Sequence, residues 1–155
     1  MHLPKRHCRL HRKWLLLATV PLCGSLLMAT SQAAFAGDVY GNPSQIDACG
    51  YTFSIENGIH THTGESSYAD ISISTNVTGV PAGCDGGQPI MWYGSGAMCR
   101  EGGWIYNGDN QQLIDPEISP GCGSGQAYYS QGFAEGWTGS GYIEYSTYPS
   151  PDQNS

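Results

Sequence analysis

Over residues 68–78 the chain alternates with a period of two. Ala69, Ile71, Ile73, Thr75 and Val77 fall on one side, and Asp70, Ser72, Ser74, Asn76 and Thr78 on the other. Residues two apart share a face of an extended strand, so this pattern predicts a strand with one dry and one wet side. Residues 50–56 repeat it, with Tyr51, Phe53 and Ile55 opposite Thr52, Ser54 and Glu56. Residues 90–93 and 104–106 are shorter aromatic runs. Asn107-Gly108, just before residues 111–114, predicts a tight hairpin turn. Segments 126–137 and 141–148 predict a final hairpin around Thr138-Gly139-Ser140-Gly141. On this reading residues 57–66 and 115–125 are long loops, and 149–155, polar with two Pro, is a flexible tail. No segment from 37 onward carries helical periodicity. The expected fold is all-β, six to eight short strands in a small antiparallel β-sandwich or partly open barrel.

The first 36 residues follow a different pattern. Residues 2–13 are basic, residues 14–29 apolar but interrupted by Pro21 and Gly24, and residues 31–36 small, ending in Ala34-Phe35-Ala36. Charged start, apolar middle and small-residue exit predict a secretory signal peptide cleaved after Ala36, with Ala33 as the alternative site. The apolar run is too short and too broken for a membrane span, which wants about 20 residues. The expectation is therefore an exported protein without a membrane span after cleavage. It would be secreted or extracellular, or periplasmic in a Gram-negative host, with one β domain over 37–148.

Charge sharpens this picture. Residues 37–155 hold one cation, Arg100, against thirteen Asp and Glu, a formal charge of −12. That argues against nucleic acid and anionic membranes as partners, because both need clustered Lys and Arg. Mutual repulsion favours a monomer near neutral pH. Leu, Ile, Val and Phe total only sixteen in this segment, but ten Tyr and three Trp add large apolar rings. Four Cys remain after cleavage: Cys49, Cys84, Cys99 and Cys122. An even number in an exported chain predicts two disulfides, in any of three connectivities. Without CxxC spacing a thiolate zinc cluster is not expected, and no cofactor motif is present.

Three groups of residues carry candidate chemistry. His60-Thr61-His62 places two imidazoles on one side of an extended chain, where they could chelate a metal with Glu65 completing the set. The pattern resembles the His-x-His…Glu of cupins, although only two residues separate His62 from Glu65 and the later His is missing. Glu135-Gly136-Trp137-Thr138-Gly139-Ser140-Gly141 is similar to the segment around the acid/base Glu of small jelly-roll xylanases. Ile143-Glu144-Tyr145 resembles the context of their nucleophile, in reversed order. That resemblance implies a secreted glycoside hydrolase using Glu135 and Glu144 as its paired carboxyls. The third group is aromatic. If Ile143, Tyr145, Ala127, Tyr129 and Phe133 face the core, then Tyr128, Tyr142 and Tyr148 face outward, as a wet surface for sugar rings or a protein. Asn76-Val77-Thr78 is an N-glycosylation sequon, relevant in a eukaryotic host. The function expected from these features is an extracellular binding module for carbohydrate or protein. The alternatives are the hydrolase and a structural surface or matrix component.

Overall fold

A computed structural model describes residues 37–62 and 65–155; the export signal expected over residues 1–36 lies outside the described residues. The described residues form fourteen strands: β1 (Gly37–Tyr40), β2 (Ser44–Ala48), β3 (Tyr51–Thr61), β4 (Tyr68–Ser74), β5 (Asp85–Gln88), β6 (Ile90–Tyr93), β7 (Met98–Glu101), β8 (Ile105–Tyr106), β9 (Leu113–Ile114), β10 (Glu117–Ile118), β11 (Ala127–Ser130), β12 (Phe133–Trp137), β13 (Tyr142–Ser146) and β14 (Gln153–Asn154). All pairings are antiparallel, no sheet closes into a barrel, and the all-β expectation holds. Among these residues no helix is long and apolar enough to cross a membrane.

Long strands β3 and β4 form the spine of the largest sheet. β1 and β2 pair successive halves of β3, and β10 and β9 pair successive parts of β4. Pro43 and Pro116 stand in the two gaps between these edge segments, positions where a missing N–H costs no ladder bond. The other two sheets, ordered β13-β12-β5-β8 and β14-β11-β6-β7, share one continuous ribbon. Strands β5 and β6 are separated only by Pro89, and β11 and β12 by Gln131-Gly132, so the ribbon bends from one sheet into the other at that point.

The spine serves two cores. Phe53, Ile55, Ile71 and Ile73 meet Ile46, Ala48, Val80, Ile114 and Ala134 under the β12 sheet. Ile59 and Ala69 meet Met91 and Tyr128 under the β11 sheet. Between them lies buried Asn57, whose Nδ2 donates to Thr147 Oγ1 and, at 2.8 Å, to Tyr148 O. The alternation expected for residues 50–56 and 68–78 builds these cores, although β4 stops at Ser74.

Of the three possible connectivities the molecule has Cys49–Cys84 and Cys99–Cys122, with Cα separations of 5.6 and 6.0 Å. Cys49 sits in the turn between β2 and β3 and Cys84 just before β5, so the first bridge ties the spine sheet to the β12 sheet. The second bridge joins Cys99 on β7 to Cys122 in the connection from β10 to β11.

Several expectations are corrected. Residues 57–61 are not loop but the second half of β3. Asn107-Gly108 makes no two-residue hairpin: β8 before it pairs β5, and β9 after it pairs β4, so the segment crosses between sheets. Asn107 is buried and binds the 81–85 segment, donating to Pro81 O and accepting from the Asp85 N–H. The 149–155 tail is not free. Ser150 is buried and bonded to Ser130, and Gln153 and Asn154 pair β11.

Candidate functional site

Register decides which side chains share the outer face of the β13-β12-β5-β8 sheet. Ala134 pairs with Gly87 and Tyr145 and faces the core, so its neighbours Phe133, Glu135 and Trp137 face out. Opposite them on β13 stand Ser146, Glu144 and Tyr142, and on β5 Gln88 and Gly86. Gly86 in turn pairs with Tyr106 of β8. Trp104, two residues before Tyr106 on the same side, lies stacked against it with centroids 6.4 Å apart. Tyr106 is 5.4 Å from Tyr142, and Tyr142 is 5.1 Å from Trp137. The result is a row of four rings across an open sheet face, with Tyr106 41% and Tyr142 42% exposed.

The sheet floor accommodates this row through Gly86. A Cβ there would stand 2.7 Å from Tyr106 Cδ1, far inside van der Waals contact, so only glycine lets the Tyr106 ring lie over β5. Two hydroxyls fix the rings. Tyr142 donates to Gly83 O at 2.7 Å, and Tyr106 donates to Glu135 Oε1. The bond to Glu135, then burial and the Glu135 charge, push the Tyr106 hydroxyl up to about 12, so it remains a donor at any ordinary pH.

Glu135 and Glu144 are direct cross-strand partners on this same face. Directly opposed residues hold their Cβ atoms roughly 4.5–5.5 Å apart. The nine-residue spacing across a four-residue turn therefore places the two carboxyls side by side on an open surface.

The expected outward trio does not form one strip. Tyr128 is fully buried: it packs on Tyr93 in the second core and donates to Gly123 O at 2.6 Å. Ile143, expected in the core, is 49% exposed on edge strand β13. Tyr142 is exposed as expected. Tyr148 is exposed too, but lies beyond the end of β13 and makes none of the ring contacts that Tyr142 makes. The inversion in β11 and β12 has a physical cause. Their inward positions carry Gly132, Ala134 and Gly136, because the opposing elements approach closely: a Cβ at Gly136 would lie 2.9 Å from Ala48 Cβ. The large rings of β12, Phe133 and Trp137, therefore face out, whereas β11 buries Tyr128 and turns Tyr129 outward. Trp104, Tyr106 and Trp137 were left out of the sequence-based trio. The signal for them was the same period-two spacing that links Trp104 to Tyr106 and Trp137 to Glu135.

The histidine pair lies on the opposite side of the molecule, on the outer face of the spine sheet. His60 is buried, stacked on Tyr68 at 4.2 Å. Its Nδ1 is 2.8 Å from Asp38 Oδ1 and its Nε2 3.1 Å from Asp70 Oδ2, while His62 Nε2 is 3.2 Å from the same Asp38 oxygen. Both ring nitrogens of His60 are thus occupied by carboxylates, and the cluster clamps β1, β3 and β4 together. Burial, and then the Asp70 carboxylate, push the neighbouring Asp115 carboxyl above its ordinary value. Glu65 is exposed, and among the described residues no group of three or more His, Cys, Asp or Glu is arranged to hold a metal ion. Asn76 is exposed, as a glycosylated Asn must be.

Comparison with known proteins yields no relative: no family model, no curated protein and no solved structure matches this chain.

Proposed function

We propose that this chain is an extracellular binding module that holds carbohydrate on the outer face of the β13-β12-β5-β8 sheet. The observation that carries this reading is the contiguous row Trp104–Tyr106–Tyr142–Trp137, left open to water beside the polar groups of Gln88, Glu135 and Glu144. Exposed apolar patches rimmed by polar groups mark interaction sites. Aromatic faces stack on the C–H faces of sugar rings, and carboxylates and amides accept or donate to the hydroxyls at their rims. Two disulfides suit an oxidising compartment.

The test is retention on insoluble polysaccharides, comparing the oxidised protein with Tyr142→Ala. Loss of the ring should weaken binding by about 1–3 kcal/mol, the range for an aromatic anchor. The fold should lose little more than the hydrogen bond to Gly83, about 1 kcal/mol. Equal retention of both proteins would sink the proposal.

One observation favours a second reading. Glu135 and Glu144 stand in register, and retaining glycosidases need carboxyls about 5–5.5 Å apart. Glu135→Gln separates the two readings. A hydrolase loses turnover of a chromogenic glycoside with that change, whereas a binder keeps its fold and its aromatic contacts.

A further inference from the structure

Resting on the carbohydrate reading above, we infer that the saccharide this face takes is cationic: a polymer of amino sugars whose ammonium groups lie over Glu135 and Glu144 while its rings stack on Tyr106, Tyr142 and Trp137. Directly opposed like charges weaken a strand pair. Here they are placed at the middle of the β12–β13 pairing. The chain offers them no counter-charge. Arg100 is the one Lys or Arg after residue 13, and it lies on β7 in a different sheet. Among the described residues every ion pair is between histidine and carboxylate, and none involves Glu135 or Glu144.

The hydrogen bond from Tyr106 satisfies one oxygen of Glu135, and Glu144 is exposed with its carboxylate facing solvent. An ammonium set between the two would relieve their repulsion, and the flanking rings would add cation–π attraction. The rings favour a sugar over a basic peptide, because four contiguous rings with successive centroids 6.4, 5.4 and 5.1 Å apart offer broad apolar area to the C–H faces of sugar rings. The surface charge of −12 over residues 37–155 favours approach of the same polycation.

The experiment is calorimetric titration of the disulfide-intact protein at about pH 5.5–6, where carboxylates are ionised, on the acid side of neutrality where an amino sugar carries its ammonium. The probes are glucosamine oligomers, their fully N-acetylated counterparts, neutral β-glucan oligomers of the same length and a Lys-rich peptide. Glucosamine oligomers should bind tightest, and added salt should erode the advantage. Glu144→Gln and Glu135→Gln should each weaken glucosamine binding about fivefold, the equivalent of an exposed ion pair of about 1 kcal/mol. The acetylated oligomer, which carries no ammonium, should lose less affinity than the glucosamine oligomer from either change, and circular dichroism should show both variants folded. If neutral and acetylated oligomers bind as tightly as glucosamine and ignore both Glu→Gln changes, the cationic inference fails and the carbohydrate reading stands. If the Lys-rich peptide binds more tightly than any sugar, or if no sugar binds, both fall.

Discussion

Asp85 provides a sharp test of the packing, because one charge is buried where nothing answers it. It is the first residue of β5, 1% exposed, with Oδ1 lacking any partner. Burial, only partly offset by the hydrogen bond from its own backbone, raises its carboxyl from 3.8 to about 6. A shift of that size corresponds to roughly 3 kcal/mol at full strength. Allowing for solvent screening leaves about 1–3 kcal/mol. The sign follows from linkage. A carboxyl raised in the folded state contributes stability that is present below its unfolded value and is lost as pH rises through about 6. Asp85→Asn keeps the shape and removes the charge. Urea unfolding with disulfides intact should therefore find the variant and the parent equal below about pH 4. The variant should gain steadily between pH 4 and 6 and hold an advantage of about 1–3 kcal/mol at pH 7. Taking the difference between the two proteins cancels the other twelve carboxylates. A gain at pH 7 no larger than that at pH 4, or a variant less stable at both, would refute the assignment of Asp85 as a buried, unpaired acid.

Other expectations follow from burial and contact. Ile143→Ala should change stability by less than about 0.5 kcal/mol, as surface changes do, while Ile71→Ala should cost about 2–5 kcal/mol as a core truncation. Equal melting temperatures for the two variants would contradict the exposed position of Ile143 at the sheet edge. Peptide mapping of the oxidised protein should yield Cys49–Cys84 and Cys99–Cys122 alone. Removing either bridge should cost about 3–4 kcal/mol in the chain-entropy picture, and any other linked peptide overturns the arrangement. Gly86→Ala should push the Tyr106 ring off the sheet, changing the near-ultraviolet circular dichroism and lowering saccharide affinity. The far-ultraviolet spectrum should stay the same, and an unchanged aromatic signal would count against the close approach of Tyr106 to β5.

How much of this was legible in the sequence depended on what each strand packs against. The first half of β3 and the whole of β4 bury Phe and Ile and turn Ser and Thr the other way, so alternation alone identified their faces. The β12–β13 hairpin was legible from its glycine-rich turn, and with it the juxtaposition of Glu135 and Glu144. The inner face of β12 was not, because that strand buries Ala134 and Gly136 against a close neighbour and turns Phe133 and Trp137 outward. Hydrophobicity there points the wrong way, and Tyr128 was misplaced with it. Tyr128 can be buried because its hydroxyl finds Gly123 O, a partner that no local pattern announces. Asn107-Gly108 failed for a related reason. Its Asn side chain is recruited to hold residues 81–85, a contact between segments more than twenty residues apart. Disulfide pairing and the docking of the 149–155 segment likewise depend on how the sheets pack.

The most direct test of the aromatic binding face is nuclear magnetic resonance titration of the disulfide-intact protein with a soluble glucosamine oligomer, following the Trp indole and Tyr ring signals. Saturable shifts are expected at Trp104, Tyr106, Trp137 and Tyr142 and at the backbone amides of Glu135 and Glu144. Tyr40, Tyr68 and Tyr148, which lie off that face, should stay unmoved. Shifts confined to Tyr148 or to the His60 cluster, or no saturable shift with any oligosaccharide, would contradict it.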